Sequence, residues 1–436
     1  MKCRKMTLFL GLSLLLCTQW SLAGLQEYVD KPDDAYAYTV HSTLDIGTTT
    51  AYFVQLTSQT WRDIAWKHWL TIIKPEKVEY PDKALLLISG GNNSDQPPKT
   101  DSDEARALVL VAQQLKSVVA VLEQVPNQPL FDGKHEDAII SYTFEQFLDG
   151  EGEDWPLLLP MVKSAVRAMD AIQAIAQDQF GRGVKQFMVT GASKRGWTTW
   201  LTAAADPRVA AIAPMVIDVL NLAPQMRHQK KVYGTYTASI GDYTQRNIQD
   251  RMDTPVGKRL TALVDPYSYR ESILVPKLVL LGTNDQYWTV DSAKLYFEDL
   301  LGKKYLHYVP NARHSLNLSV VPVLMTFYNA LLTGERLPEY DWRTLKDGAL
   351  EVTWDHPGGK AMLWQANSPN RDFRRAKWSS TPLPGKGKAT AKVDPPEQGW
   401  TAYFVSVSFP VLFGNVPAQC PFSTMMHVIP DTYPEH

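Results

Sequence analysis

Three cysteines among 436 residues are too few for a disulfide scaffold. The nine histidines show no H-x-H or H-E-x-x-H spacing, and no pair of cysteines has the spacing of a zinc site. There is no G-x-G-x-x-G and no P-loop. No metal and no cofactor is therefore expected. The chain also lacks an excess of one charge. Lys plus Arg is 44, Asp plus Glu is 46, and the net charge is −2. Without a long basic run it has no electrostatic footprint of a nucleic-acid binder. Internal repeats and low-complexity tracts are missing too. What is present is globular: 44% hydrophobic and 21% charged residues. At roughly 150 residues per domain, the length suits one large domain and a small one. The 13 tryptophans read mostly as core.

The first residues, Met1 to Lys5, are MKCRK, a short cationic start. An apolar run from Met6 to Leu16 follows, then Ser21-Leu22-Ala23, with small residues three and one positions before a break at Gly24. That is the pattern of a secretory signal peptide over residues 1–23. The run is shorter than the roughly 20 residues a membrane span needs. Lipidation at Cys17 is disfavoured by Leu16, where a small residue is wanted. Cleavage near Ala23 places the protein in the periplasm or outside the cell. It also removes Cys3 and Cys17, leaving Cys420 alone. No later stretch reads as a transmembrane helix.

Apolar runs at Lys83–Ser89 and Ser117–Gln124 have the continuous hydrophobicity of strands buried on both faces. Further strands are expected at 49–56, 61–73, 186–190, 209–217, 277–281 and 305–309. Helical spacing marks 105–115, 158–177, 194–205, 290–301 and 320–332. Strands alternating with helices mean a mostly parallel sheet with helices on both faces. Two regions break the rhythm. Residues 222–273 are polar and aromatic with weak periodicity, and read as an insertion over the sheet edge. From about Asp347 the pattern turns to short strands, expected to form a β-sandwich over 347–436. Its roughly 90 residues are a size typical of that class. The large domain then covers 24–346. The tail is expected to serve stability or binding rather than chemistry.

The richest stretch is Gly191-Ala192-Ser193-Lys194-Arg195-Gly196-Trp197, placed between a strand and a helix. A nucleophilic serine needs such a turn. It lifts Oγ above the sheet and aims the N–H groups of the next helix at a developing oxyanion. The usual spacing is G-x-S-x-G; here Arg195 takes the last position and Gly196 follows it. Taken alone, Ser193 would also serve as a plain helix cap. Its partners decide the reading. In this fold the acid and the histidine follow in that chain order on loops after later strands. Asp285 lies in Gly282-Thr283-Asn284-Asp285, after the strand at 277–281. His314 lies in Pro310-Asn311-Ala312-Arg313-His314-Ser315, after the strand at 305–309. Ser193, Asp285 and His314 are thus the expected catalytic triad, with Asp291 and Asp218 as fallback acids. The oxyanion hole is expected from the Lys194 N–H and from the loop holding Gly90 and Gly91. Arg195, Trp197 and Trp288 are the candidate substrate contacts.

These segments, with Thr198-Thr199-Trp200, Asp206-Pro207-Arg208, the opening Tyr28-Val29-Asp30-Lys31-Pro32-Asp33 and the tail segments Leu363-Trp364-Gln365-Ala366 and Arg371-Asp372-Phe373-Arg374, resemble the PhoPQ-activated pathogenicity-related protein family. The resemblance implies an α/β-hydrolase fold and export. It supplies no substrate, because the family is named for regulation and virulence. The expectation is an exported serine hydrolase acting on a small-molecule or polymer ester. Two rivals stay open: a non-catalytic binding or signalling protein on the same fold, and a serine peptidase with the insertion as its lid.

Overall fold

A computed structural model describes residues 24–181, 183–413 and 416–436. The expected signal peptide lies outside the described residues. Among those described, no helix is long and apolar enough to cross a membrane.

The chain builds a nine-stranded sheet from β1 (Ala37–Asp45), β2 (Thr49–Trp61), β3 (Ile64–Pro75), β4 (Lys83–Ile88), β5 (Val118–Leu122), β6 (Gln186–Ala192), β7 (Val209–Met215), β8 (Lys277–Gly282) and β9 (Lys304–Val309). Their order is β1-β2-β3-β5-β4-β6-β7-β8-β9. The first three strands are antiparallel and β3 pairs antiparallel with β5. From β5 to β9 every pairing is parallel. The apolar runs at β4 and β5 have a physical basis here. Ala84, Leu86, Ile88, Val118, Ala120 and Leu122 enter one core cluster, while Leu85 and Val119 enter another on the opposite face. The first face is covered by helices Leu158–Phe180 and Lys194–Ala205, the second by Asp103–Leu115 and Val320–Thr333. Helix ends follow local chemistry. Ser102 caps its helix by accepting from the Ala105 N–H, and Leu158–Phe180 stops at Gly181, which adopts the left-handed conformation.

One strand was not anticipated and two expectations need correction. β1, in the polar opening of the chain, is exposed along its whole length, Tyr38, Val40 and Leu44 included. The helix expected at 290–301 is only a short 3-10 turn, Ser292–Leu295. Tyr296, Phe297 and Leu300 are still buried, so the apolar spacing was real but the backbone is irregular. The insertion over 222–273 is helical, with Leu222–Tyr233 and Pro255–Val264 as its longest pieces. It covers a cavity beside Ser193 and His314 rather than a lateral edge.

The C-terminal region forms two antiparallel sheets. One holds β10 (Tyr340–Thr344), β11 (Leu350–Trp354) and β14 (Lys388–Ala391). The other holds β12 (Lys360–Ser368), β13 (Ser379–Leu383), β15 (Trp400–Phe413), β16 (Val416–Ser423) and β17 (His427–Ile429). Val352, Leu363 and Val405 from both sheets share a cluster with Leu278 and Phe327 of the large domain. The region also covers the open side of β9. The Leu306 N–H donates to Tyr340 Oη at 3.1 Å, and the Tyr308 N–H to Ser423 Oγ at 3.1 Å. A sheet edge that would otherwise offer free N–H groups is thereby closed. Cys420 sits in this shared core, where burial pushes its thiol up to about 12.

Candidate active site

Ser193 stands between β6 and the helix Lys194–Ala205 with φ 59° and ψ −127°. That positive φ is strained for a serine and holds the hydroxyl on a sharp turn. Close packing explains the glycines. A Cβ on Gly196 would stand 2.9 Å from the carbonyl oxygens of Gly191 and Met215, so helix and strands meet there only without a side chain. Gly191 is held by the same crowding, with Arg195 backbone atoms 2.8 Å from where its Cβ would be.

The three residues expected to act together are in hydrogen-bond contact. His314 Nε2 lies 2.8 Å from Ser193 Oγ, and His314 Nδ1 lies 2.8 Å from Asp285 Oδ2. A carboxylate can only accept, so Nδ1 carries the proton and Nε2 is left to accept from the serine hydroxyl. Asp285 is buried and its other oxygen accepts the Tyr287 N–H at 2.9 Å. The Tyr287 ring covers His314, with centroids 4.2 Å apart. Its phenol donates to Asp137, which also accepts from Tyr243.

The fallback acids have other surroundings. The Asp291 carboxylate meets His228 at 2.8 Å, Lys294 at 2.7 Å and Arg371 at 3.0 Å. Burial alone would raise it, but these partners hold it far below the usual carboxylate range. Asp218 lies behind Asp285 in a small polar cavity. Burial, reinforced by the charges of Asp285 and Asp291, pushes it up to about 8, so it is mostly protonated at neutral pH.

Beside Ser193 lies a cavity that also reaches His314. Trp197 and Trp288 line it, as the sequence suggests for substrate contacts, together with Lys194 and Asp137. Arg195 is not among its walls, which corrects the reading of that residue as a substrate contact. Its guanidinium makes two 2.7 Å bonds to Glu136, another to the Val125 carbonyl, and packs on Gly90. This also explains how an arginine replaces the second elbow glycine: its side chain leaves the turn toward the Gly90 loop. Gly90 and Gly91 do not line the cavity either. The Lys194 N–H belongs to the helix's first turn, where N–H groups have no acceptor within the helix. The Lys194 ammonium is 2.9 Å from Glu136 and 3.5 Å from Asp137.

Glu136 thus serves two largely buried cations. Burial opposes its charge, yet Arg195 and Lys194 hold its carboxyl down to about 2. A depressed carboxyl stabilises the fold fully above its unfolded value, about 4.5, and loses that contribution as the pH falls toward 2. Glu136→Gln should cost about 1–3 kcal/mol at neutral pH, toward the lower end because Glu136 is partly exposed. Urea melts repeated down the pH scale should show the variant and the native protein converging in acid. A constant gap would contradict this role.

The C-terminal region reaches the site, against the expectation that it stands apart from the chemistry. The Asn284 amide, next to Asp285, donates to the carbonyls of Phe373 and Ala376 at 3.2 and 2.7 Å. Asn311, in the loop of His314, exchanges two bonds with the Trp378 backbone at 3.1 and 2.9 Å. Arg374 reaches Thr237 of the insertion at 2.9 Å. Segment 371–378 therefore ties together the loops that carry the acid and the base. The sequence gives no sign of this, nor of Glu136 and Asp137. Tyr287, two residues past Asp285, was the one neighbour open to inference. Among the described residues, no group of three or more His, Cys, Asp or Glu side chains could hold a metal ion.

The model of the PhoPQ-activated pathogenicity-related proteins matches residues 25–374. The chain belongs to this family. A curated relative, autocrine proliferation repressor protein A of Dictyostelium discoideum, is 31% identical over 453 aligned positions, which cover 94% of this chain and 91% of that protein. Among solved structures, acetyl xylan esterase 1 from a Thermoanaerobacterium species matches with a TM-score of 0.51 and 15% identity, over 73% of this chain and 93% of its own. An acetyl xylan esterase from a Paenibacillus species matches with a TM-score of 0.50 and 13% identity, over the same shares. At such identities the likeness concerns the fold, which is that of the α/β-hydrolases.

Proposed function

We propose that this family member is an exported serine esterase that hydrolyses its substrate through an acyl-enzyme on Ser193. The observation that carries the reading is the unbroken contact from Asp285 through His314 to Ser193, opening on a cavity. In the first half-reaction His314 Nε2 takes the hydroxyl proton as Oγ attacks the ester carbonyl. Asp285 balances the imidazolium, and the proton then passes to the leaving alcohol. The Lys194 N–H and the helix terminus face the charge that develops on the carbonyl oxygen. Water repeats the sequence and frees the acid. The strained φ at Ser193 suits a nucleophile better than a structural cap, since no side-chain cap bond is made there.

An ester fits better than a peptide. A peptide would bring several backbone N–H and C=O groups into a cavity whose walls offer few partners, and unpaired polar groups are costly to bury. The esterase names of the two structural neighbours agree with this. Export rests on the segment before Gly24.

A fluorophosphonate probe tests the proposal. It should label one serine, Ser193, and Ser193→Ala should fold normally and take up no label. Labelling that survives the substitution, or none in the native protein, would remove the assignment.

A further inference from the structure

The cavity beside Ser193 has one cluster of polar groups around Asp137. There Asp137 accepts from Tyr243 at 3.1 Å and Tyr287 at 3.4 Å and meets Lys194, so these polar groups already satisfy one another. Besides Ser193, His314 and Gln249, the remaining walls are largely hydrocarbon and indole, with Phe144 and Trp197 from the large domain, Trp288 close to Asp285, and Met226, Ile240 and Ile248 from the insertion. Most of these side chains are buried. The lining is mostly apolar, and such walls reward displacement of water by apolar surface. Apart from Gln249 they offer little to the hydroxyl groups of a sugar, which would lose most of their hydrogen bonds to water on entry.

We infer that the ester turned over here carries a medium-chain aliphatic or aryl moiety, and that the insertion over 222–273 sets its length. This rests on Ser193 being the nucleophile but goes beyond it, because the same triad serves acetyl and long-chain esters alike. The gain follows from burial. Each methylene taken from water is worth about 0.8 kcal/mol, at most roughly fourfold in kcat/KM, until the cavity is full. Methionine at position 226 gives this wall some play, since its unbranched side chain repacks readily.

The test uses the whole protein and two ester series, one lengthening the acyl chain from acetyl to decanoyl on a constant alcohol, the other lengthening the alcohol on a constant acetate. In one of them kcat/KM should climb steeply from the two-carbon member to a maximum between butyl and octyl size. A flat or falling profile in both series would overturn the inference. Met226→Trp should move the maximum to shorter chains. A second readout works without turnover. In Ser193→Ala, methyl octanoate should change the emission of Trp197 and Trp288 saturably, where methyl acetate at the same concentration does not. Binding that depends on chain length but occurs in a protein that takes no fluorophosphonate would sink the nucleophile and keep the apolar site. Labelling without any dependence on chain length would do the reverse.

Discussion

Asp285→Asn should lower kcat about 10⁴-fold on any ester the native enzyme accepts, with KM little changed. The carboxylate lies 2.8 Å from His314 Nδ1 and holds the ring with its other nitrogen toward Ser193. An asparagine in that place can turn its amide N–H to Nδ1. The imidazole proton would then sit on Nε2, which could no longer accept from the hydroxyl. The charge that balances the imidazolium would also be gone. Asp218→Asn is the control, because Asp218 is mostly neutral near pH 7 already. It should leave kcat within a few-fold of native. Steady-state kinetics on purified proteins would decide. A collapse in Asp218→Asn with Asp285→Asn still active would move the acid to the end of β7.

Deleting residues 347–436 should abolish fluorophosphonate labelling as well as solubility. Two effects combine. The deletion strips apolar partners such as Val352, Leu363, Val405 and Phe422 from the core they share with Leu278 and Phe327. It also removes the carbonyls of Phe373 and Ala376 and the Trp378 backbone, which hold Asn284 and Asn311 beside the acid and the base. Asn311→Ala separates the second effect from the first. It should stay folded, lose about 1–3 kcal/mol, and react more slowly with the probe. A soluble truncated protein labelled at the native rate would show that the loops hold themselves in place.

The parallel half of the sheet was legible because β4 and β5 are buried on both faces, which leaves a continuous apolar run in the sequence. The contact between Ser193, Asp285 and His314 could be anticipated because each lies just past a strand, where chain order alone restricts the choice. Arg195 misled for a physical reason. A cation beside a serine on such a turn can face a substrate or pair with a carboxylate, and only the fold reveals that Glu136, 59 positions earlier, is its partner. The strap at 371–378 was hidden for the same reason, since its grip on the active-site loops is made by backbone carbonyls, which any sequence possesses. The helix expected at 290–301 failed because burial of Tyr296 and Phe297 imitates helical spacing while Asp291 is drawn into an ion-pair cluster.

The insertion between β7 and β8 contributes Met226, Ile240 and Ile248 to the cavity and none of the three side chains of the proposed triad. On the proposed reading, chemistry and selectivity are written on separate lengths of chain. Substitutions in the roof can change what enters while the sheet, the elbow and the proton path stay as they are. If the proposed triad is right, a change in the roof would alter the substrate without altering the reaction.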